Sequence, residues 1–222
     1  MIRYFTNFVL VFMMLMLSMT LYAQKDVTQF LGIPVDGYKP EMISKLKDKG
    51  FANSAENKDI LVGQFNGTDV NLSIVTNNNK VCRIMVADAN PMSEGDIKIR
   101  FNTLCQQFQN NKNYFPLPDS TLSKYIISED ETISYELSAH NKRYQAVFYQ
   151  KPADYDSLNL EGANLAKKYP LTDTDKERMK VILVKMLNLN KVVWFMISQY
   201  YGKYYIAMYY DNQYNRANGE DL

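Results

Sequence analysis

The chain contains 222 residues, with 25 basic against 24 acidic side chains, and 46% of its residues are hydrophobic. This length can bury a substantial core, and the neutral balance of interspersed charges gives no electrostatic attraction to nucleic acid or to anionic membranes. One histidine, His140, and two cysteines supply too few ligands for a metal site and few routes to nucleophilic catalysis. Glycine-rich loops and common catalytic motifs are also absent from the sequence. We therefore assign no catalytic residue, no metal and no cofactor.

The first 23 residues have the layout of a signal peptide. Arg3 gives a positive start, residues 8–21 form an apolar run, and Ala23 offers a small residue before a polar sequence. The run is shorter than the about 20 apolar residues that a membrane-spanning helix needs, although an uncleaved anchor is the alternative. We expect cleavage after Ala23, a mature chain over 24–222 without a membrane span, and a periplasmic or extracellular location.

The segment that follows the leader predicts one short helix and several strands. A helix begins near residue 39, where Pro40 suits the first turn, and Gly50 is a natural stop after it. The Asn66-Gly67 pair is the strongest two-residue signal for a hairpin, and apolar residues alternate with polar ones in the strand after it. Strands are predicted at 27–31, 60–65, 68–76 and 81–87, with the last three in one antiparallel sheet.

A second helix is predicted from residue 93 onward. Ser93 with Asp96 resembles a capping box at its start. Its apolar positions fall on a single stripe, which we interpret as a core face rather than a cofactor site: Ile97, Phe101, Leu104, Cys105 and Phe108. The segment 110–118 is rich in helix-breaking residues and ends this helix.

A second hairpin is predicted after this break. Its strands cover 132–138 and 143–150, where apolar and polar residues alternate. Residues 151–171 have the weakest pattern of the chain, and only a helical turn near 160–168 is expected there.

A third helix and a final hairpin complete the predicted elements. Thr174 and Glu177 are interpreted as the cap of the helix. The hairpin joins 192–200 to 203–210, and its Trp194 lies in a continuous apolar run that is typical of a core. A helix followed by antiparallel strands thus occurs three times, with irregular spacing.

We therefore predict an α+β fold, with antiparallel sheet or sheets, helices packed on one face, and repeated helix-plus-hairpin units. Residues 24–222 are expected to form a single α+β region. Two subdomains, at 24–111 and 122–222, are the alternative, because the segment between them is rich in turn-forming residues.

The two cysteines leave two interpretations open. Cys82 and Cys105 could form a disulfide in an exported chain. Alternatively they are two buried thiols, because Cys82 lies in an apolar strand pattern and Cys105 on the apolar stripe of a helix. A disulfide requires Cα atoms within about 7 Å, which the sequence does not determine.

Tyrosine is concentrated at the end of the chain, where seven of the 17 tyrosines lie between residues 200 and 214. Cross-strand packing explains such residues, since tyrosine suits a pleated surface. A recognition surface is the second interpretation, because tyrosine offers a large contact area with a polar tip. Under that interpretation the candidate binding residues are Tyr200, Tyr201, Tyr204 and Tyr205, for an unknown protein or glycan partner.

Three stretches resemble a group of uncharacterised exported proteins from Bacteroides-type bacteria. They are residues 30–37 with the following helix up to 51, residues 63–67, and the end of the chain from Tyr209. The resemblance implies export and an envelope location, and it carries no activity. At the level of fold, repeated helix-plus-meander units are similar to the architecture of the β-lactamase inhibitor proteins.

These observations favour a non-catalytic exported module that binds or interacts with a partner in the bacterial cell envelope. The alternative is a carboxylate-dependent hydrolase of envelope or dietary glycans, with Asp154, Asp156 and Glu161 as examples of available carboxylates. A purely structural envelope component is a third possibility. Two carboxylates about 5 to 9.5 Å apart in a deep cleft would favour the enzyme. A shallow aromatic face would favour the binding module.

Overall fold

A computed structural model describes residues 26–187 and 190–217, so the predicted signal peptide at 1–23 lies outside the described residues. The helices are α1 Lys39–Lys47, α2 Glu94–Asn110, α3 Asp119–Tyr125, α4 Ile133–Ala139, α5 Tyr155–Ala166 and α6 Asp173–Met186. The strands are β1 Gln29–Phe30, β2 Ile33–Pro34, β3 Ala52–Asn53, β4 Ile60–Phe65, β5 Thr68–Asn77, β6 Lys80–Asp88, β7 Gln145–Tyr149, β8 Val192–Tyr200 and β9 Lys203–Asp211. Within these two ranges, no helix has the length and apolar character needed to cross a membrane.

Seven strands form one antiparallel sheet in the order β3-β4-β5-β6-β9-β8-β7, and β1 and β2 form a separate hairpin. This arrangement confirms the predicted α+β class. The sheet joins the two halves of the chain, because β6 pairs with β9 over Arg83–Ala87 and Ala207–Asp211. Strand β6, from the first half of the chain, and β9, from the second half, thus lie side by side in a single sheet.

Tight turns set the register of the β4–β5 and β8–β9 hairpins. Asn66 and Gly67 between β4 and β5 have φ of 50° and 74°, and Tyr201 and Gly202 between β8 and β9 have 48° and 74°. Two successive positive φ values are characteristic of a turn whose twist matches that of the flanking strands. Asparagine and glycine adopt this conformation readily, which explains why the first hairpin could be predicted from two residues.

The core lies on one face of the sheet, called here the inner face. Helix α1 contributes Met42 and Leu46 to it, and α2 contributes its predicted stripe, of which Phe101 is fully buried. These side chains belong to the same buried cluster as Leu72 of β5 and Phe195 of β8. Each large apolar side chain buried in this way contributes about 1.5–3 kcal/mol. The prediction of helices packed on one face is therefore confirmed for α1 and α2.

Ser93 caps α2 as predicted, and the cap of α6, a full capping box, lies two residues earlier than predicted. The Ser93 side chain accepts a hydrogen bond from the N–H of Asp96 at 3.2 Å. At α6 the box is made by Thr172 and Asp175 rather than by Thr174 and Glu177. Both pairs have the spacing of a capping box, and the helix begins at the first of them after the preceding loop.

Residues 133–139 form helix α4 where a strand had been predicted, and this prediction was wrong. Ile133 and Leu137 are spaced for one helix turn as well as for strand alternation, and both pack against the core. The carboxylate of Glu94 on α2 accepts hydrogen bonds from the N–H groups of Ile133 and Ser134, which caps the helix from a distant part of the chain. Only β7 follows as a strand, so the repeated helix-plus-hairpin units are not confirmed.

Cys82 and Cys105 are both free and buried, so the disulfide alternative is not formed in the structure. Cys82 lies beside the irregularity between β5 and β6, and its thiol donates a hydrogen bond to the carbonyl of Val75 at 3.4 Å. Cys105 belongs to the inner stripe of α2, which packs over β8 and β9 rather than over that irregularity. Burial raises the pKa of the Cys105 thiol to about 12.

Candidate functional site

The face of the sheet opposite the core, called here the outer face, is rich in aromatic and methionine side chains. Strand alternation puts every second residue of β6, β8 and β9 on this face, and cross-strand pairs bring those residues together. Met85 pairs with Tyr209, Tyr209 with Trp194, and Ala207 with Met196. The outer aromatic surface is defined by six partly or largely exposed residues: Met85, Trp194, Met196, Tyr200, Tyr205 and Tyr209.

A stack of three side chains forms the centre of this surface. The rings of Trp194 and Tyr209 are nearly parallel, with centroids 4.0 Å apart and an interplanar angle of 17°. The Arg83 guanidinium lies 4.9 Å from the Tyr209 centroid and 5.5 Å from the Trp194 centroid. Burial is the main cause of a raised pKa at Tyr209, and the positive charge of Arg83 opposes it. The stack covers one face of each ring, and both side chains are partly buried.

Asp211 holds Arg83 and Trp194 in position through hydrogen bonds. Its carboxylate is only 1% exposed and accepts hydrogen bonds from two nitrogens of Arg83 and from Nε1 of Trp194, the latter at 3.0 Å. The bond to Asp211 is the main cause of a raised pKa at Arg83. A bidentate arginine–carboxylate pair fixes both partners in orientation. The rotamers of Arg83 and Trp194 are therefore held in place by contacts within the chain itself.

Three of the four predicted tyrosines lie together at one end of this surface. Tyr205 pairs across the hairpin with Ser198 and is half-buried on the outer face. Tyr200 and Tyr201 are 59% and 90% exposed at the β8–β9 turn, where their rings meet edge to face with centroids 4.6 Å apart. Tyr204 points to the other face, where it is 3% exposed within the core, so it presents no surface to a partner.

A shallow depression of about 700 Å³ adjoins the outer aromatic surface. Met196, Ser198 and Tyr205 line one side of it, and the loop before β7 brings Lys142 and Arg143 to the other side. Lys142 pairs with Glu131, and Arg143 is exposed. The rim of the surface is therefore polar and carries positive charge at this end.

The carboxylates considered for hydrolase chemistry do not meet across a cleft. Glu161 pairs with Arg178 through two hydrogen bonds, and Asp154 pairs with Lys185 at 3.3 Å, so both hold α5 against α6. Asp156 lines a separate cleft of about 500 Å³ in which it is the single carboxylate among the lining residues. A general acid and its partner carboxylate are thus not assembled in that cleft.

His140 lies at the surface beside an acidic side chain. The Nδ1 atom of His140 lies 2.9 Å from a carboxylate oxygen of Glu136, one turn earlier in α4, and the side chain is 57% exposed. Across residues 26–187 and 190–217, no group of three or more His, Cys, Asp or Glu side chains could hold a metal ion.

Sequence reasoning missed the centre of the outer aromatic surface. Trp194 was assigned to the core, whereas it lies partly buried on the outer face, opposite Tyr209. Arg83 and Asp211 were not singled out, because their pairing joins positions 128 residues apart. The signal for Trp194 was present in the register of the final hairpin, since a turn at 201–202 places residue 194 opposite residue 209.

Comparison with protein-family models, with curated proteins and with solved structures finds no match to this chain. The functional assignment therefore depends on the geometry of the chain itself, above all on the outer face of the sheet.

Proposed function

We propose that the chain is an exported, non-catalytic binding module of the bacterial cell envelope that captures a protein partner on its outer aromatic surface. The observation that supports this most strongly is the continuous set of aromatic and methionine side chains on the outer face, opposite a fully formed core. Contiguous exposed apolar patches are typical of interaction sites, because a free surface of this kind is unfavourable in water.

The composition of the surface matches that of protein interfaces. Tryptophan, tyrosine, methionine and arginine are enriched in such interfaces, and the residues with the largest effects on affinity are mostly Trp, Tyr and Arg. Trp194, Tyr209 and Arg83 form the centre, and the polar rim includes Ser198 and Arg143. Because Asp211 already fixes the stack, binding orders few additional side chains, which reduces the entropic cost of association.

A protein partner fits this geometry better than a glycan. A sugar ring stacks with its C–H groups against an open aromatic face. One face of each of the Trp194 and Tyr209 rings is covered by the other ring, and the Arg83 guanidinium lies 4.9 and 5.5 Å from the Tyr209 and Trp194 centroids. Fewer open ring faces therefore remain for a sugar than two separate aromatic side chains would offer. The edges, hydroxyls and methionine thioethers that remain are suited to the irregular side-chain surface of another protein.

Site-specific photo-crosslinking tests the proposal. A photoreactive phenylalanine analogue replaces Met196 or Tyr205 in the chain expressed in its native envelope, and matched controls carry it at Tyr38 or Val184, which are 49% and 66% exposed elsewhere on the molecule. We expect one protein adduct of defined mass at the two outer-face positions and none at the controls. Equal adducts at all four positions, no adduct at any of them, or an adduct removed by glycosidase but not by protease would contradict the proposal.

A further inference from the structure

A cleft that is separate from the outer aromatic surface lies between the β1–β2 turn and the C-terminal end of α2. It has two adjoining chambers of about 500 and about 360 Å³. Leu31, Phe65, Tyr114 and Tyr210 line both chambers, so the two form one elongated space. Tyr210 lies on the inner face of β9, so this cleft opens on the side of the sheet that carries the core.

Two buried tyrosine hydroxyls meet at the junction of the chambers. Tyr114 and Tyr210 are 7% and 4% exposed, and their hydroxyls hydrogen-bond each other. Gln150 is fixed by the backbone of Gln29, because its Oε1 accepts from the N–H at 2.8 Å and its Nε2 donates to the carbonyl at 2.8 Å. The same Nε2 donates to the Tyr114 hydroxyl at 3.0 Å, so Gln150 meets that oxygen as a donor.

In this arrangement, one of the two hydroxyl protons is not used in the bond between the tyrosines. Tyr114 and Tyr210 carry two protons, and only one of them can lie in the bond between the two oxygens. Whichever tyrosine donates in that bond, the proton of the other can be donated to a group in the cleft, which both side chains line. Burial raises the pKa of both tyrosines, so both remain protonated donors at neutral pH. An oxygen acceptor of a ligand in the cleft can take this proton in a hydrogen bond.

The smaller chamber is mainly apolar, and one of its residues has a strained backbone. Leu104, Phe108 and Met208 contribute to its walls together with Phe65. Leu31, at the tip of the β1–β2 turn, has a φ of 52°, which is unfavourable for a residue with a branched side chain. Asparagine or glycine would serve the turn better. The leucine at position 31 is therefore explained by the apolar wall that its side chain adds to the cleft, and not by the conformation of the turn.

The larger chamber, of about 500 Å³, has an excess of positive charge among its lining residues. Lys112 and Lys151 line it, and Asp156 is its single carboxylate. Lys191 also lines this chamber, but its Nζ is bound to the carboxylate of Asp26 at 2.7 Å and to the Lys151 carbonyl at 3.0 Å. The charge of Lys191 is therefore compensated, whereas Lys112 and Lys151 exceed Asp156 by one positive charge.

We propose that this cleft binds an amphipathic ligand that combines an alkyl chain with a carboxylate, as a medium-length fatty acid does. The alkyl chain fills the apolar chamber beside Phe65 and Phe108. The carboxylate accepts the hydroxyl proton that Tyr114 and Tyr210 leave over, and Lys112 and Lys151 balance its charge. This site is independent of the outer aromatic surface, so each proposal can fail without the other.

Calorimetric titration with decanoate, below its micelle-forming concentration, tests this proposal. We expect one decanoate per wild-type chain and about tenfold weaker binding to the Tyr114→Phe/Tyr210→Phe variant, which loses the hydrogen bonds and keeps both rings. Gln150 retains its two bonds to Gln29 in that variant, which preserves the local fold. The Tyr135→Phe variant, altered at an exposed site on α4 outside the cleft, should bind as the wild type does.

Two further variants separate a binding role from a structural one. Leu31→Asn relieves the backbone and should keep or raise the melting temperature while weakening decanoate binding several-fold. Lys112→Gln/Lys151→Gln should weaken binding about threefold to fivefold and reduce its dependence on salt. The proposal is overturned if the wild type does not bind decanoate, if the double phenylalanine variant binds it equally well, or if decanol binds as tightly as decanoate.

Discussion

Replacing Arg83 by methionine tests whether the anchored stack on the outer face is as rigid and buried as the structure shows. Methionine keeps most of the aliphatic stem and removes the guanidinium. Asp211, which is 1% exposed, then keeps its hydrogen bond from Trp194 but loses the two from Arg83. We expect the variant to fold and to be clearly less stable, because a buried carboxylate loses its main partner.

The size of the effect follows from burial and from the partners that remain. Removing one member of a buried ion pair costs about 3–5 kcal/mol. The Arg83 side chain is 25% exposed, and the Arg216 guanidinium lies 3.8 Å from the Asp211 carboxylate and can compensate in part. We therefore expect a loss of about 2–3 kcal/mol in the free energy of unfolding, equivalent to about 5–10 °C in melting temperature. Adding Asp211→Asn to this variant should restore part of the loss, since a neutral amide is less costly to bury than a charge.

Urea unfolding followed by circular dichroism, and by the fluorescence of Trp194 as the single tryptophan, measures this loss. The matched control is Arg178→Met, because Arg178 makes the same bidentate pair with Glu161 at a site where the two side chains are 46% and 36% exposed. Exposed pairs contribute little, so the control should unfold within error of the wild type. Equal stability of the two variants would refute the reasoning that the Arg83–Asp211 pair is a buried anchor.

Three further predictions concern the thiols, alkaline pH and glycine. Cys82 and Cys105 should react with a thiol reagent only after denaturation, as measured by intact mass, and fast labelling of the native chain would contradict their burial. The free energy of unfolding should fall as the pH rises from about 9 towards 12, because the unfolded thiol of Cys105 ionises first while the folded thiol, with its pKa of about 12, stays protonated. Urea unfolding across this window should show a slope of at most about 1.4 kcal/mol per pH unit from this group, which Cys105→Ala removes. Gly63→Ala should lower the free energy of unfolding by about 1–3 kcal/mol, because the new Cβ would lie 2.7 Å from the ring of buried Phe51, whereas Gly95→Ala, at an open position in α2, should not destabilise.

Local signals account for the elements that the sequence predicted well. Strand alternation and the Asn66-Gly67 turn lie within a few residues of each other, and they placed β4 and β5 to within one residue. The stripe of α2 likewise depends on spacing within one helix, and all five of its predicted residues are buried. Where the structure is decided by neighbours in sequence, the sequence was sufficient.

Contacts between distant segments account for what the sequence did not predict. Helix α4 depends on a cap from Glu94, 39 residues before Ile133, and the alternation of its apolar residues suits a strand equally well. Part of the outer aromatic surface was predicted, because Tyr200, Tyr201 and Tyr205 lie at it. The Arg83–Asp211 pair was not predicted, because it joins β6 to the end of β9. The cleft that contains Tyr114 could not be predicted, because its walls come from segments that meet only in the folded chain. The resemblance to exported proteins of Bacteroides-type bacteria stays a prediction.

Methionine footprinting in the native envelope tests the central claim, that the outer face binds a protein partner, most directly. Met85 and Met196 are partly buried on the outer aromatic surface, and Met186 is partly buried on α6, which contributes no residue to that surface. Exposed thioethers are oxidised by dilute peroxide, and mass spectrometry gives the rate at each site. The proposed function predicts that Met85 and Met196 oxidise several-fold more slowly in the envelope than in the purified chain, while Met186 keeps its rate. Unchanged rates at Met85 and Met196 would contradict it.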